Sequence, residues 1–315
     1  MSEKVLRMAL EGAGGEPVSF ERTVLSHGVA SLPPMWPSEA GDLLEVTLAL
    51  PSGRPRTVRI ARAGLRHAAI EVVGRAPGSR TADAIVSAAA HVLRLDEDLS
   101  ALYALALKDP DLAWVCDGAG RMIRSQTVFE DVVKTVCTTN CSWNLTERMV
   151  NALVEHLGEP ASGAPVTGAR GRAFPTPEAM AEPDEAFYRE VVKAGYRAPY
   201  FLALARSVAA GDVELEAWGR ASAGELPDDE LFALLIGLPG VGPYAAAHVM
   251  MMMGRYSRLI LDSWTRPTYA RLTNRKTVKD TTIERRFRKY GPYAGLAFWL
   301  FLTRGWVEES RVVTE

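Results

Sequence analysis

The sequence predicts an α+β fold that is mostly helical, with a small antiparallel β-sheet at its N-terminal end. Between Val18 and Val73, short runs over 44–48, 57–61 and 68–73 are rich in branched apolar residues and are separated by Pro, Ser and Gly turns, as in a small antiparallel sheet. Past Gly78 the apolar period lengthens to that of helices, over 81–93, 99–108, 128–136 and 145–157. With 315 residues and 48% hydrophobic content, the chain can bury more than one core.

The helical elements follow in order. In 145–157, Leu145, Met149, Leu153 and Leu157 form one apolar ridge. The stretch 158–177, rich in Gly, Ala and Pro, is a connection, and further helices are expected around 184–193 and 199–209. A helix beginning after Pro227, with Asp228 and Asp229 in its first turn, should stop at Gly237. Leu238-Pro239-Gly240-Val241-Gly242 then forms a tight turn, with Gly240 and Gly242 supplying positive φ, before a second helix opens at Pro243 and ends by Gly254. The segment 293–302 is apolar on all sides and is expected to be buried.

A helix, hairpin and second helix have a physical use. The first turn of the second helix leaves backbone N–H groups unpaired near a positive dipole end. Glycines let a phosphate approach the main chain without a Cβ in the way, so Gly240, Val241, Gly242, Tyr244 and Ala245 are candidates to grip a nucleic-acid backbone independently of sequence. Asp262 follows the last hairpin glycine by twenty residues and is the candidate catalytic carboxylate; it is also placed to cap a helix starting near Ser263.

Charge narrows the partners. Lys and Arg number 36 against 38 acids, so affinity for nucleic acid has to come from a local patch. One candidate is the segment holding Arg271, Arg275, Lys276, Lys279, Arg285, Arg286, Arg288 and Lys289, opposed by Asp280 and Glu284, although such runs also occur on plain solvated surfaces. The apolar run 293–302 is too short to span a bilayer, and the N-terminus, with Glu3, Lys4, Arg7 and Glu11, lacks a signal-peptide core. A cytoplasmic protein is expected, nucleoid-associated in a bacterium. Cys116, Cys137 and Cys141 cannot form a four-thiolate cluster; Cys137 and Cys141 are spaced to share a helix face as unpaired thiols. His27, His67, His91, His156 and His248 have no zinc-type spacing, so no metal is expected.

Five ordered blocks point to one family. They are Cys137-Thr138-Thr139-Asn140, Phe174-Pro175-Thr176, Gly195-Tyr196-Arg197-Ala198, the hairpin with Asp262, and Gly291-Pro292-Tyr293-Ala294-Gly295. Through them the chain from about 127 to 303 resembles the helix-hairpin-helix superfamily of DNA base-excision glycosylases, in places its 8-oxoguanine branch. The resemblance implies a cleft between two helical domains. It divides the chain into an N-terminal β domain over 1–78, a discontinuous helical domain over 79–125 plus 255–315, and a hairpin-bearing helical domain over 126–254. It implies double-stranded DNA carrying a damaged base as partner and a monomer as the working unit. No cofactor is required beyond water, although a monovalent cation at the hairpin carbonyls is implied.

Departures from the family pattern bear on the chemistry. Superfamily enzymes that also cut the strand carry a lysine two residues past the second hairpin glycine, whose neutral amine forms a Schiff base with the sugar. Here that residue is Tyr244, which implies a monofunctional glycosylase. The glutamine that meets the base edge in the 8-oxoguanine branch corresponds to Phe298, and an arginine that reads the opposite cytosine corresponds to Leu145, so an alkylated purine is the expected substrate. Tyr244, His248, Trp264 and Phe298 are candidate walls of an aromatic base pocket suited to a cationic purine; all four could equally be core packing. Asn140, Tyr196 and Arg197 are candidates to fill the duplex or meet the opposite base. Two rival readings are a non-catalytic damaged-DNA-binding protein and a bifunctional oxidised-purine glycosylase using a lysine outside the hairpin.

Overall fold

The computed structural model describes residues 5–51 and 53–307. Glu3 and Lys4, on which part of the signal-peptide argument rests, lie outside the described residues, as does the stretch 308–315 of the discontinuous domain. Five strands form one antiparallel sheet: β1 (Val5–Ala9), β2 (Met35–Pro37), β3 (Leu43–Leu48), β4 (Arg56–Arg62) and β5 (His67–Val72), in the order β1-β5-β4-β3-β2. The three central strands were expected. β1 and β2 were not: β2 has only three residues, and β1, whose buried Leu6 and Met8 alternate with exposed neighbours, precedes the stretch from Val18 that was read as the sheet.

Leu44, Val46 and Leu48 of β3, Val58 and Ile60 of β4, and Ile70 and Val72 of β5 fill one face. On the other, Glu45 accepts from Arg59 at 3.0 Å and from Arg170 at 2.6 Å.

The helices run α1 (Phe20–Val24), α2 (Ser79–Val92), α3 (Ser100–Ala106), α4 (Val128–Thr138), α5 (Trp143–Leu157), α6 (Pro177–Ala181), α7 (Glu185–Glu190), α8 (Ala198–Ala209), α9 (Leu215–Arg220), α10 (Asp228–Ile236), α11 (Pro243–Met252), α12 (Thr265–Leu272), α13 (Asp280–Phe287) and α14 (Ala294–Thr303). Among the described residues none is long and apolar enough to cross a membrane. The apolar side chains gather into three clusters. The sheet is packed by Ala82, Ile85, Ala89 and Val92 of α2, so α2 belongs physically with the sheet, and the helical core that the sequence placed from residue 79 begins at Leu99. A second cluster holds α4, α5, α8 and α10. The third holds α3, α13 and α14.

Helix α11 joins the last two. Ala245, Ala246, Val249 and Met250 face the α4–α10 cluster, while Ala247, Met251 and Met252 face the α14 cluster. The run of methionines is buried, as expected of adaptable core filling. The α14 cluster also explains Gly295. Its N–H bonds Tyr256 O at 2.7 Å, and a Cβ there would fall inside the Arg258 carbonyl.

A buried guanidinium ties the clusters together. Arg94 donates from Nε to Met122 O at 2.8 Å and from a terminal nitrogen to Met252 O at the end of α11, beside Glu97 at 3.7 Å. Burial pushes the Glu97 carboxyl up, and Arg94 pulls it back. Replacing Arg94 by Leu leaves two carbonyls and a buried acid without their partner, so Arg94→Leu is expected to cost about 3–5 kcal/mol. Chemical denaturation measures this, and an unchanged midpoint would refute the role.

Candidate active site

The hairpin forms as the spacing suggests. Pro227 caps α10, Asp228, Asp229 and Glu230 fill its first turn, and Gly237 follows its last residue. Gly240 has φ +80, and a Cβ there would lie 2.9 Å from the Tyr200 ring, so both its conformation and its surroundings require glycine. Gly242 differs from expectation: its φ of −98 and ψ of −178 are ordinary extended backbone. Nothing lies within 4 Å of a Cβ placed on it. The fold does not need glycine there, whereas a ligand approaching the main chain would. Val241 is buried and its N–H bonds Leu238 O at 3.1 Å, so it anchors the turn. The bond from Ala246 N to Gly242 O at 2.9 Å opens α11, and the amides of Tyr244 and Ala245 lie in the first turn, where no intrahelical acceptor exists.

Asp262 stands across from the hairpin. Its Oδ1 accepts from Trp264 N at 2.8 Å and Thr265 N at 2.7 Å, and its own N–H bonds Thr265 Oγ1 at 2.8 Å. This reciprocal capping box starts α12 and fixes the carboxylate, leaving Oδ2 for another partner. Both faces meet in a cleft of about 710 Å³ lined by Asn140, Tyr196, Tyr200, Gly240 to Ala245, Asp262 and Ser263, together with Thr138, Thr139, Cys141 and Leu261. Asp262 is the one charged side chain in that lining. Tyr244 sits at the seam of the two helical cores; burial raises its hydroxyl's pKa, opposed by Thr138 beside it.

The insertion candidates divide. Asn140 is exposed just beyond α4, with φ +48, a left-handed conformation that asparagine tolerates. Tyr196 is 52% exposed, with its ring 6.2 Å from that of Tyr200. Arg197 is corrected. It is 3% exposed, donates to Thr139 Oγ1 at 3.4 Å and to Thr139 O, and stacks over Tyr196 at 4.4 Å. Its donors hold the Asn140 loop in place instead of facing a base. Cys141 lies past the end of α4 with its Sγ 3.0 Å from Cys137 O, so the two thiols do not share a helix face.

The aromatic candidates divide as well. Phe298 is fully buried between Phe287 at 5.3 Å and Tyr269 at 6.1 Å, because α14 has no polar side; it is core and does not line the cleft. Trp264 turns away from Asp262 onto Trp299 at 5.7 Å and Trp306 at 5.6 Å, lining a separate cavity of about 1100 Å³. His248 is buried behind Tyr244, with ring centroids 5.8 Å apart. Its other neighbours are His27 at 5.9 Å and Trp299 at 6.3 Å, and neither of its ring nitrogens has a partner among the described residues.

Sequence reasoning missed Tyr200, Thr138 and Thr139, although Tyr200 lies one helical turn past Tyr196 and the threonines flank Asn140. It also missed His27, which no spacing connects to His248. Part of the basic segment is already paired at the surface: Arg286 with Asp111, and Lys289 with Asp109 at 2.7 Å.

Two measurements check this geometry. Gly242→Ala is expected to raise the melting temperature slightly, through the unfolded-chain entropy it removes, about 0.4–1 kcal/mol, and Gly240→Ala to lower it through strain of about 1–2 kcal/mol; equal melting of the two would contradict the assignment. The second concerns pH. Burial lowers the pKa of His27 to about 3 and of His248 to about 4, whereas in the unfolded chain both take up a proton near 6.5. Between those values the unfolded state binds more protons, so the stability present above pH 6.5 is lost as pH falls towards 4. Each histidine contributes a slope of up to about 1.4 kcal/mol per pH unit. His248→Phe should remove one such contribution from urea midpoints collected between pH 4.5 and 7.

No family model matches the sequence, and no curated protein matches it. Solved structures do. A 3-methyladenine DNA glycosylase from Archaeoglobus fulgidus superposes with a TM-score of 0.72 at 20% identity, covering 95% of this chain and 98% of that one. The 8-oxoguanine glycosylase/lyase of Clostridium acetobutylicum, in complex with double-stranded DNA containing cytosine opposite 8-oxoguanine, gives 0.71 at 20% identity over 98% and 100% of the two chains. Its apo form gives 0.62 at 20% identity over 83% and 96%. With the sheet, the two helical cores and the hairpin in place, the chain has the helix-hairpin-helix fold of these DNA glycosylases.

Proposed function

We propose that this protein is a monofunctional DNA glycosylase that hydrolyses the N-glycosidic bond of an extruded, damaged purine, and that the base is alkylated. The observation that carries the reading is the cleft shared by the Asp262 carboxylate and the unpaired amides of the hairpin. Main-chain N–H groups at Tyr244 and Ala245 hold a phosphate of double-stranded DNA, and Gly242 leaves it room. Asn140 and Tyr196 enter the duplex where the base has left.

Breaking the bond builds positive charge on the sugar, of the kind carboxylates stabilise in glycoside hydrolysis. A charge pair about 4 Å apart at an effective dielectric near 20 gains about 4 kcal/mol, equivalent to about a thousandfold in rate. The amides on Oδ1 spare that gain from reorganisation, because the carboxylate is already aimed before substrate arrives.

Two further features support the reading. Among the described residues no lysine lines the cleft, and Lys134, on the helix that leads to Asn140, is fully buried against Glu130 at 2.6 Å. This supports a reaction that does not pass through an imine. A cleft whose single charge is negative also favours a cationic alkylated purine, already a good leaving group, over a neutral oxidised one. A monovalent cation at the hairpin belongs to the same reading. Leu235 and Leu238 carbonyls each accept an amide of the turn and keep a second lone pair.

Asp262→Asn is the direct test. Asparagine retains the Oδ1 that caps α12, so folding and DNA binding should persist while base release from alkylated duplexes falls about a thousandfold. Alkali treatment followed by gel electrophoresis reads the abasic product. Wild-type rates in the variant, or retention of damaged DNA without abasic sites in the parent protein, would refute catalysis by Asp262. A borohydride-trapped adduct would overturn the monofunctional assignment.

A further inference from the structure

Tyr244 is shared by two grooves. On one side is the cleft with Asp262. On the other is a groove of about 650 Å³ that Pro243, Tyr244 and Leu261 also line. Its charge is of the opposite kind. Arg258, Arg266 and Arg288 line it, and Glu284 is the one acid among them.

None of these arginines is locked in the interior. Arg258 stacks over Phe232 at 4.7 Å and pairs with Asp229, whose side chain is 91% exposed. Arg266 forms a two-pronged pair with Asp280 at 2.8 and 2.9 Å, both side chains being about two-fifths exposed. Arg288 is exposed and has no ion pair among the described residues. Exposed pairs of this kind hold by less than about 1 kcal/mol, so an incoming phosphodiester can replace the carboxylates, and a guanidinium fork accepts it with two parallel bonds. The Ser257 hydroxyl, which also lines this groove, is buried without a partner among the described residues.

We propose that this groove is a second backbone clamp. It takes a phosphodiester of the same DNA that the hairpin holds, so that the strand is gripped on both sides of Tyr244. The inference rests on the glycosylase reading, since that reading places DNA at the hairpin. Continuity through Tyr244 favours DNA over an acidic protein segment as occupant. Asp262 repels phosphate within the cleft, and the arginines offset that repulsion one groove away. Arg266 is held mainly by its hydrogen bonds to Asp280 and has a weaker attraction to Asp262, so a modest electrostatic link joins the two adjacent grooves.

The experiment is the salt dependence of binding to an undamaged duplex, measured by fluorescence anisotropy from 50 to 300 mM KCl. Each phosphate contact adds about 0.9 to the slope of log affinity against log salt. Arg258→Ala with Arg288→Ala should remove the one phosphodiester contact of the groove, lowering the slope by about one, and weaken binding alike for every sequence. Arg258→Lys with Arg288→Lys, which keeps the charge, should restore most of it and excludes loss of fold as the cause. A slope in the double alanine variant equal to the parent's overturns the clamp while leaving the hairpin reading intact. If the parent protein binds no duplex at any salt concentration, the glycosylase reading fails first, and that result is distinct from the other.

Discussion

The guanidinium of Arg94 lies where the sheet and the helical cores meet, and its bonds decide where the hairpin sits. It follows α2 in a left-handed conformation, φ +54, with Leu95 N bonded to Ala90 O at 2.9 Å. This is a helix-ending motif that normally uses glycine. Arginine accepts the strain of about 1 kcal/mol because its side chain reaches Met122 O and Met252 O, carbonyls that no other donor serves among the described residues. Met252 ends α11, and α11 begins at the hairpin. A rigid helix of ten residues therefore carries a constraint made at the sheet to the amides of the cleft. Gly254, whose Cβ would lie 2.8 Å from the guanidinium, shows how closely the chain is drawn around it.

The capping box at Asp262 makes the second half of the cleft in the same economical way. A carboxylate facing a reacting sugar has to be oriented, and a helix start has to find an acceptor for its amides. One side chain meets both needs because it has two oxygens. The cap and the catalytic role assigned to Asp262 are therefore complementary: the bonds that begin α12 are those that aim the free oxygen.

What could be read from the sequence followed from local rules. The hairpin and its flanking helices are set by residues within one or two turns of each other, so spacing and turn chemistry found them, whereas Asp262 was picked out by its distance of twenty residues from the last hairpin glycine and Asn140 by the family resemblance of its block. The pocket walls were not legible for a different reason. Phe298 sits on a helix that is apolar all round, and periodicity cannot tell which neighbour such a side chain meets. Trp264, two residues past Asp262, was expected beside it, but the cap turns the chain so that the indole faces Trp299 and Trp306. Arg197 was expected to meet the opposite base and is instead buried against Thr139, a contact across 58 residues. The approach of His27, in the connection after α1, to His248 of α11 has no local signature at all.

Features that the fold does not require carry the argument for function further than those it does. Gly240 is demanded by φ and by Tyr200, so its presence says only that the turn is tight. Gly242 is demanded by nothing in the free protein, and its cost in unfolded-chain entropy is unreturned until something fills the space above it. The same reasoning applies to Tyr196, an aromatic side chain left half in solvent. His248 is a buried imidazole whose nitrogens are both unpaired among the described residues, a condition that costs about 1–3 kcal/mol for each unsatisfied group. Gly242 and Tyr196 line the cleft with Asp262, and His248 packs directly behind its Tyr244 wall. A protein selected for stability alone would have removed them, so their joint occurrence around one carboxylate argues for a ligand that enters there.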